Sequence, residues 1–139
     1  MKKMIVAFAV LTAVLFGGDF QDGLKAYVNK DYKKAVELFQ KSADEGDARA
    51  QFILGTMYNE GKGVKQEYKK AVEFYQKSAN QGHAEAQLNL GFMYYNGQGV
   101  KKDKIKAYHW WMKAAKQGIP QAQKNLDVLC RQSPWACKK

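Results

Sequence analysis

The chain states one pattern twice. ILGTMYNEGKGVKQEYKKAVEFYQKSANQG, from Ile53 to Gly82, returns thirty-six positions later as NLGFMYYNGQGVKKDKIKAYHWWMKAAKQG, from Asn89 to Gly118. Identities fall in register: Gly55 with Gly91, Met57 with Met93, Tyr58 with Tyr94, Gly61 with Gly97, Gly63 with Gly99. The same step aligns Ala35, Ala71 and Ala107, then Gly46, Gly82 and Gly118, and the pairs Ala50-Gln51, Ala86-Gln87 and Ala122-Gln123. A fixed period of this size means stacked supersecondary units, each burying its apolar face against the next.

Within a unit the apolar spacing is helical. Ala71, Phe74, Tyr75, Ser78 and Ala79 recur at i, i+3, i+4, i+7 and i+8, as do Ala86, Leu90, Met93 and Tyr94 in the other half. The two prolines, Pro120 and Pro134, fall at a helix start and beyond a helix end. NEGKGV and NGQGV supply glycines between helices, and Gly46, Gly82 and Gly118 stand where a helix C′ residue belongs. Asp31, Glu67 and Asp103 precede the second helices, where an acid meets the positive end of the dipole. The first unit differs: Gly23 to Ala35 spans twelve residues where Gly55 to Ala71 spans sixteen, so a tight NKD turn replaces the glycine loop. The pattern predicts seven helices near 20–30, 32–45, 47–59, 68–81, 83–95, 104–117 and 119–131, an all-α solenoid of stacked antiparallel hairpins.

Ahead of the repeats, MKKMIVAFAVLTAVLFGG puts two lysines before an apolar run from Met4 to Phe16. That is the layout of a secretory signal peptide over residues 1–18, followed by a repeat domain over 19–139. The run is short for a permanent bilayer span, so no stable membrane insertion is expected once it is cleaved, although Leu15 and Phe16 fit a cleavage site imperfectly and leave a retained anchor open. A periplasmic or secreted chain is the expectation. In an oxidising compartment Cys130 and Cys137 favour a disulfide, worth about 2–3 kcal/mol for so short a loop, with a redox role as the other reading. The only histidines, His83 and His109, are not spaced with them as metal ligands, and neither a metal nor a cofactor is expected.

The formal net charge is +10, and becomes +8 without Lys2 and Lys3. Lysines scattered over most of the predicted helices, with arginine only at Arg49 and Arg131, are a poor set for reading bases or phosphates. Nucleic acid is therefore not an expected partner, whereas an anionic cell-envelope polymer or an acidic protein fits the charge.

The motif A-x-A-x-x-x-L-G-x-x-Y-x-x-G-x-G-V, followed by a K-A pair and W/F-[WY]-x-K-[AS]-A-x-x-G, resembles that of Sel1-like repeats, longer-looped relatives of tetratricopeptide repeats. The resemblance covers Asp47 to Gly82 and His83 to Gly118; residues from Ile119 to about Arg131 resemble half a further repeat and suit a terminal cap. FQDGLKAYVNKDYKKAVELFQKSA resembles an ordinary tetratricopeptide unit. The resemblance implies a concave face lined by first helices, which binds a protein or peptide segment. Some secreted, cysteine-rich members are assigned penicillin binding and weak β-lactamase activity, which makes a peptidoglycan-related enzyme the alternative. Their cysteine pairs correspond here to Ala43 and Ala50, Ala79 and Ala86, Ala115 and Ala122.

No catalytic set stands out: Ser42, Ser78 and Ser133 begin SADE, SANQ and SPWA, without the lysine of S-x-x-K. His109, beside Trp110 and Trp111, reads as a partly buried packing residue, and His83 as a capping or exposed one. The groove candidates are Phe52, Thr56 and Asn59, repeated as Leu88, Phe92 and Tyr95 and then as Lys124, Val128 and Arg131, with Asn96 beside them. These positions lie off the repeated consensus, which frees them for a ligand. The competing reading is that Phe52, Leu88 and Phe92 complete the packing between units.

Overall fold

The computed structural model describes residues 18–138, so the expected leader, apart from Gly18, lies outside the described residues. Seven α-helices follow in order. α1 covers residues 18–28, and then come α2 Tyr32–Asp44, α3 Ala48–Glu60, α4 Tyr68–Asn80, α5 Ala84–Asn96, α6 Lys104–Lys116 and α7 Pro120–Gln132. A 3-10 turn, Pro134–Cys137, closes the series, and no strand occurs among the described residues. From α2 onward each helix packs on its neighbours in sequence, the arrangement of an α-solenoid. The ends of α2 to α7 fall within one residue of those the sequence predicts, and α1 within two.

Glycine ends the helices where the sequence placed it. Beyond α2, Gly46 (φ 94°) donates its N–H to Ala43 O, and Asp47 N–H reaches Ser42 O. Gly82 and Gly118 repeat both bonds after α4 and α6, a Schellman closure that satisfies carbonyls the helix leaves open. In the first unit's short turn a lysine, Lys30 (φ 62°), takes the left-handed conformation. Asp31 and Asp103 cap α2 and α6 through Oδ1, whereas Glu67 makes no side-chain bond to the start of α4.

The hairpins are held by a small residue facing a ring. Gly23, Gly55 and Gly91 on the first helices lie against Phe39, Tyr75 and Trp111 on the second, so closely that a Cβ at Gly23 or Gly55 would stand 2.8 Å from ring carbon. The core forms three clusters along the stack, centred on Phe39 and Leu54, on Tyr75 and Leu90, and on Trp111 and Leu126. The glycine loops join successive units: Gly63 (φ 75°) seats its Cα where a side chain would meet the Tyr32 carbonyl at 2.6 Å, and Gly99 does the same over Tyr68. Only glycine fits both the conformation and the approach.

A second connector uses glutamines. Gln51 and Gln87, both buried, donate to the Ala43 and Ala79 carbonyls at 3.2 and 3.3 Å. Gln81 donates to Gln51 Oε1 and the Gly46 carbonyl, and Gln117 to Gln87 Oε1 and the Gly82 carbonyl, all at 2.8–2.9 Å. Each ladder satisfies a buried amide and ties a helix end to the next unit. At the third step Gln123 is exposed and bonds Asp127 instead.

Candidate binding face

Two of the clefts on the first helices, about 250 Å³ each, reach from one unit to the next. Leu24 and Tyr27 of α1, Phe39 of α2, and Phe52, Ile53, Thr56 and Met57 of α3 line the first, which is almost wholly apolar. Asn59, Tyr75, Asn89, Phe92, Met93, Asn96 and Gln98 line the second, which is richer in amides. The wall between them is a hydrogen bond, 3.1 Å between Thr56 Oγ1 and the Tyr75 hydroxyl. Burial raises the Tyr75 pKa above its ordinary value, while hydrogen bonds with Thr56 and Asn89 pull it down. At the equivalent place one unit on, Trp111 stands where Tyr75 does and offers no hydroxyl. There the buried Asn125 Nδ2 has no hydrogen-bond partner among the described residues.

The predicted groove residues divide. Phe52 and Thr56 reach the first cleft, and Asn59, Phe92 and Asn96 the second. Leu88 and Tyr95 line neither: Leu88 packs on the third core cluster, and its carbonyl accepts the Trp111 Nε1–H at 3.1 Å. Tyr95 lies 5.4 Å from the Trp111 ring, and its hydroxyl donates to Gln132 at 3.3 Å. Phe92 meets Trp111 edge-on at 5.4 Å, so one side of its ring is packing and the other faces the cleft. Lys124, Val128 and Arg131 are exposed along α7, with Trp135 beyond them. The sequence reading missed Leu24, Tyr27, Tyr75 and Asn89; Tyr75 stood in the repeat at a position read as core, and Asn89 was given no role.

His83 caps α5, its Nδ1 accepting the Ala86 N–H at 3.3 Å, and its ring stacks on Phe52 at 4.8 Å. Burial pushes its pKa below the ordinary imidazole value, against the upward pull of Glu85 and Asp47. Glu85 Oε2 lies 3.6 Å from the same nitrogen, a contact that favours the proton, while the cap requires a free lone pair. Burial and the cap together keep the ring neutral. Burial also pushes the Asp47 carboxyl up, but bonds from Arg49 and the Ala50 amide outweigh it and hold the group below its usual range. His109 is not the packing residue expected: α6 buries Ala107, Tyr108, Trp111 and Ala114, and the helical period turns His109 to solvent.

The serines are occupied in structure. Ser42 and Ser78 are fully buried, bonded to Asp47 Oδ2 at 3.4 Å and the Ala48 carbonyl at 2.7 Å. Ser133, 3% exposed, accepts a bond from Lys104 Nζ at 2.9 Å. This contact fastens α6 to the end of α7. Cys130 and Cys137 are bonded, with Cα atoms 5.6 Å apart, and draw the 3-10 turn onto α7 so that Ala136 is buried. Among the described residues no group of three or more His, Cys, Asp or Glu could hold a metal ion, and no helix is long and apolar enough to cross a membrane.

Three consecutive segments, residues 18–47, 48–83 and 84–119, match the model of the Sel1 repeat. The fold superposes on a crystal structure of c5321, a protective antigen of uropathogenic Escherichia coli displaying an SLR fold, with TM-score 0.78 and 32% identity, covering 84% of this chain and 26% of that one. It also superposes on a Sel1 repeat protein from Oxalobacter formigenes, with TM-score 0.77 and 32% identity over 81% of this chain and 46% of that one. Helicobacter pylori cysteine rich protein B shares the fold at TM-score 0.66 and 24% identity, over 80% of this chain and 94% of that one. This chain therefore spans about a quarter and under half of the first two structures' lengths. No curated protein matches the sequence. With three matched repeats joined by the same glycine turns and glutamine ladders, the chain belongs to the Sel1 repeat family.

Proposed function

We propose that the chain is an exported, non-enzymatic scaffold whose concave first-helix face holds an extended segment of a protein partner. The observation that carries this is the pair of clefts meeting at the Thr56–Tyr75 bond, an apolar one beside an amide-lined one. An extended peptide presents side chains to the first kind of surface and backbone N–H and C=O groups to the second. Amide side chains both donate and accept, so Asn59, Asn89, Asn96 and Gln98 can pair with either. The apolar run after Lys2 and Lys3, together with the Cys130–Cys137 bond, supports a periplasmic or secreted setting.

The test fills the second cleft without touching the core. Asn59→Arg with Asn96→Arg should abolish crosslinking to the partner captured by the wild-type chain in its native envelope, while the melting temperature stays within a degree or two. An unchanged crosslinking pattern would count against the groove. An envelope polymer as the bound species would instead favour the charge-driven alternative.

A further inference from the structure

Charge is not uniform along the stack, although within residues 83–118 every lysine lies in the loop or on α6, and at that end it is α7 that brings basic groups to the first-helix face. Residues 19–46 carry five lysines against six acids, a net −1, and residues 47–82 six basic groups against four acids, a net +2. Residues 83–118 carry six lysines against Glu85 and Asp103, a net +4, and residues 119–139 four basic groups against Asp127, a net +3. Positive charge therefore accumulates toward the α7 end, while the apolar cleft lies at the α1 end.

The acids of α3 and α7 are taken up locally. Asp47 pairs with Arg49 at 2.7 Å and Glu60 with Lys62 at 3.5 Å, Asp127 accepts from Gln123, and Glu85 lies 3.6 Å from the neutral His83 ring without being neutralised by it. Lys124 and Arg131 make no ion pair with any described residue. They flank Val128, 45% exposed, on the α7 stripe that continues Phe52–Thr56–Asn59 and Leu88–Phe92–Tyr95, and Trp135, 57% exposed, follows. Contacts run from the clefts to this end: Phe92 and Tyr95 share Trp111, Tyr95 bonds Gln132, and Lys104 spends one of its N–H bonds on Ser133 beside them.

Resting on the peptide-groove reading above, we propose that the bound segment is an acidic, extended polypeptide with a fixed orientation. Its apolar residue fills the cleft of Leu24, Tyr27, Phe52 and Ile53, and its Asp or Glu residues lie against Lys124 and Arg131. Charge complementarity sets the direction in which the segment runs, because reversing it would place carboxylates over the end whose first unit carries net negative charge.

The experiment selects a displayed library of random twelve-residue peptides on the full chain, in parallel with the Lys124→Glu, Arg131→Glu double variant, whose two sites are exposed. The proposal expects wild-type winners to hold an apolar or aromatic residue at a set distance from a cluster of Asp and Glu. The double variant should reverse the cluster to Lys and Arg and keep the apolar residue. A photo-crosslinker next to the apolar residue should mark α1 or α3, and one next to the acids α7. Winners without acidic bias, or the same winners on both proteins, would overturn the orientation while leaving the groove standing. No enrichment at all would take down both readings. Acidic winners that lack an apolar residue and are displaced by inorganic polyphosphate would overturn the proposal in favour of a diffuse polyanion surface.

Discussion

Gly91 offers a sharp measure of how the hairpins are packed. A methyl group there would sit inside the contact distance of Trp111 Nε1 and Cδ1, with Cε2 at 3.0 Å. The indole is 2% exposed, its Nε1–H is held by the Leu88 carbonyl at 3.1 Å, and the Phe92 and Tyr95 rings stand 5.4 Å away. It cannot swing aside without losing that bond and reseating two rings. At an open helical site alanine would gain about 1 kcal/mol over glycine. Here overpacking costs about 1–3 kcal/mol, and a buried donor and acceptor left apart cost about 1–3 kcal/mol more. The middle of these ranges leaves Gly91→Ala about 3 kcal/mol less stable, or roughly 10 °C lower in Tm for a domain of this size. Thermal unfolding followed by far-UV circular dichroism reads the shift. Trp111→Phe should cost less in the Gly91→Ala background than in the wild type, since the smaller ring makes room and has no N–H to strand. A Gly91→Ala protein as stable as wild type, or more so, would refute the claim that glycine is needed for this approach.

Gln87→Ala should cost about 1–3 kcal/mol by stripping Gln117 and the Ala79 carbonyl of a buried partner, while Gln123→Ala, at the exposed end of the series, should leave chemical denaturation unchanged. His83 has a folded pKa below its unfolded value near 6.5, so the unfolded chain binds the proton more readily. Its contribution is fully present above that pH and is lost as pH falls through the folded pKa; urea titrations across this window should show a slope that His83→Asn, which keeps a capping acceptor, flattens. Asn125→Leu should hold or raise Tm, because it removes an amide whose Nδ2 has no partner. Intact mass of the native protein should show Cys130 and Cys137 joined, and reduction should lower stability by about 2–3 kcal/mol, with fraying confined to α7 by hydrogen exchange.

The helices were legible because the residues that start and stop them are chemically constrained. Gly46, Gly82 and Gly118 adopt φ near 90°, and Asp31 and Asp103 bond the first turns, so their spacing fixed the ends to within a residue. The candidate face was half legible, for a reason visible in Phe92 and Tyr95. A position free of the repeat consensus can still be claimed by a neighbour, and Trp111 claims both rings. Tyr75 shows the converse, since a buried core ring can turn its hydroxyl to a cleft wall, which periodicity alone does not reveal. The glutamine ladders were written in the aligned Ala-Gln pairs. Their partners Gln81 and Gln117 stood thirty-six positions apart in plain view, but a buried polar residue becomes meaningful only when its acceptor is known. His109 was misplaced because its aromatic neighbours drew attention away from its angle on the helix.

The two junctions share one set of glutamine and glycine contacts, although Arg49 over Phe20 and His83 on Phe52 are each particular to one of them. Gln81 meets Gln51 and Gly46 as Gln117 meets Gln87 and Gly82, and Gly63 seats on Tyr32 as Gly99 seats on Tyr68. Every contact in this coupling is made by residues that recur each thirty-six positions or by backbone carbonyls, so a copy of residues 47–82 spliced in after Gly82 would find the same socket on either side. Growth by tandem duplication would then keep the glutamine and glycine contacts, and the number of units becomes a variable that can change while the residues lining the face diverge.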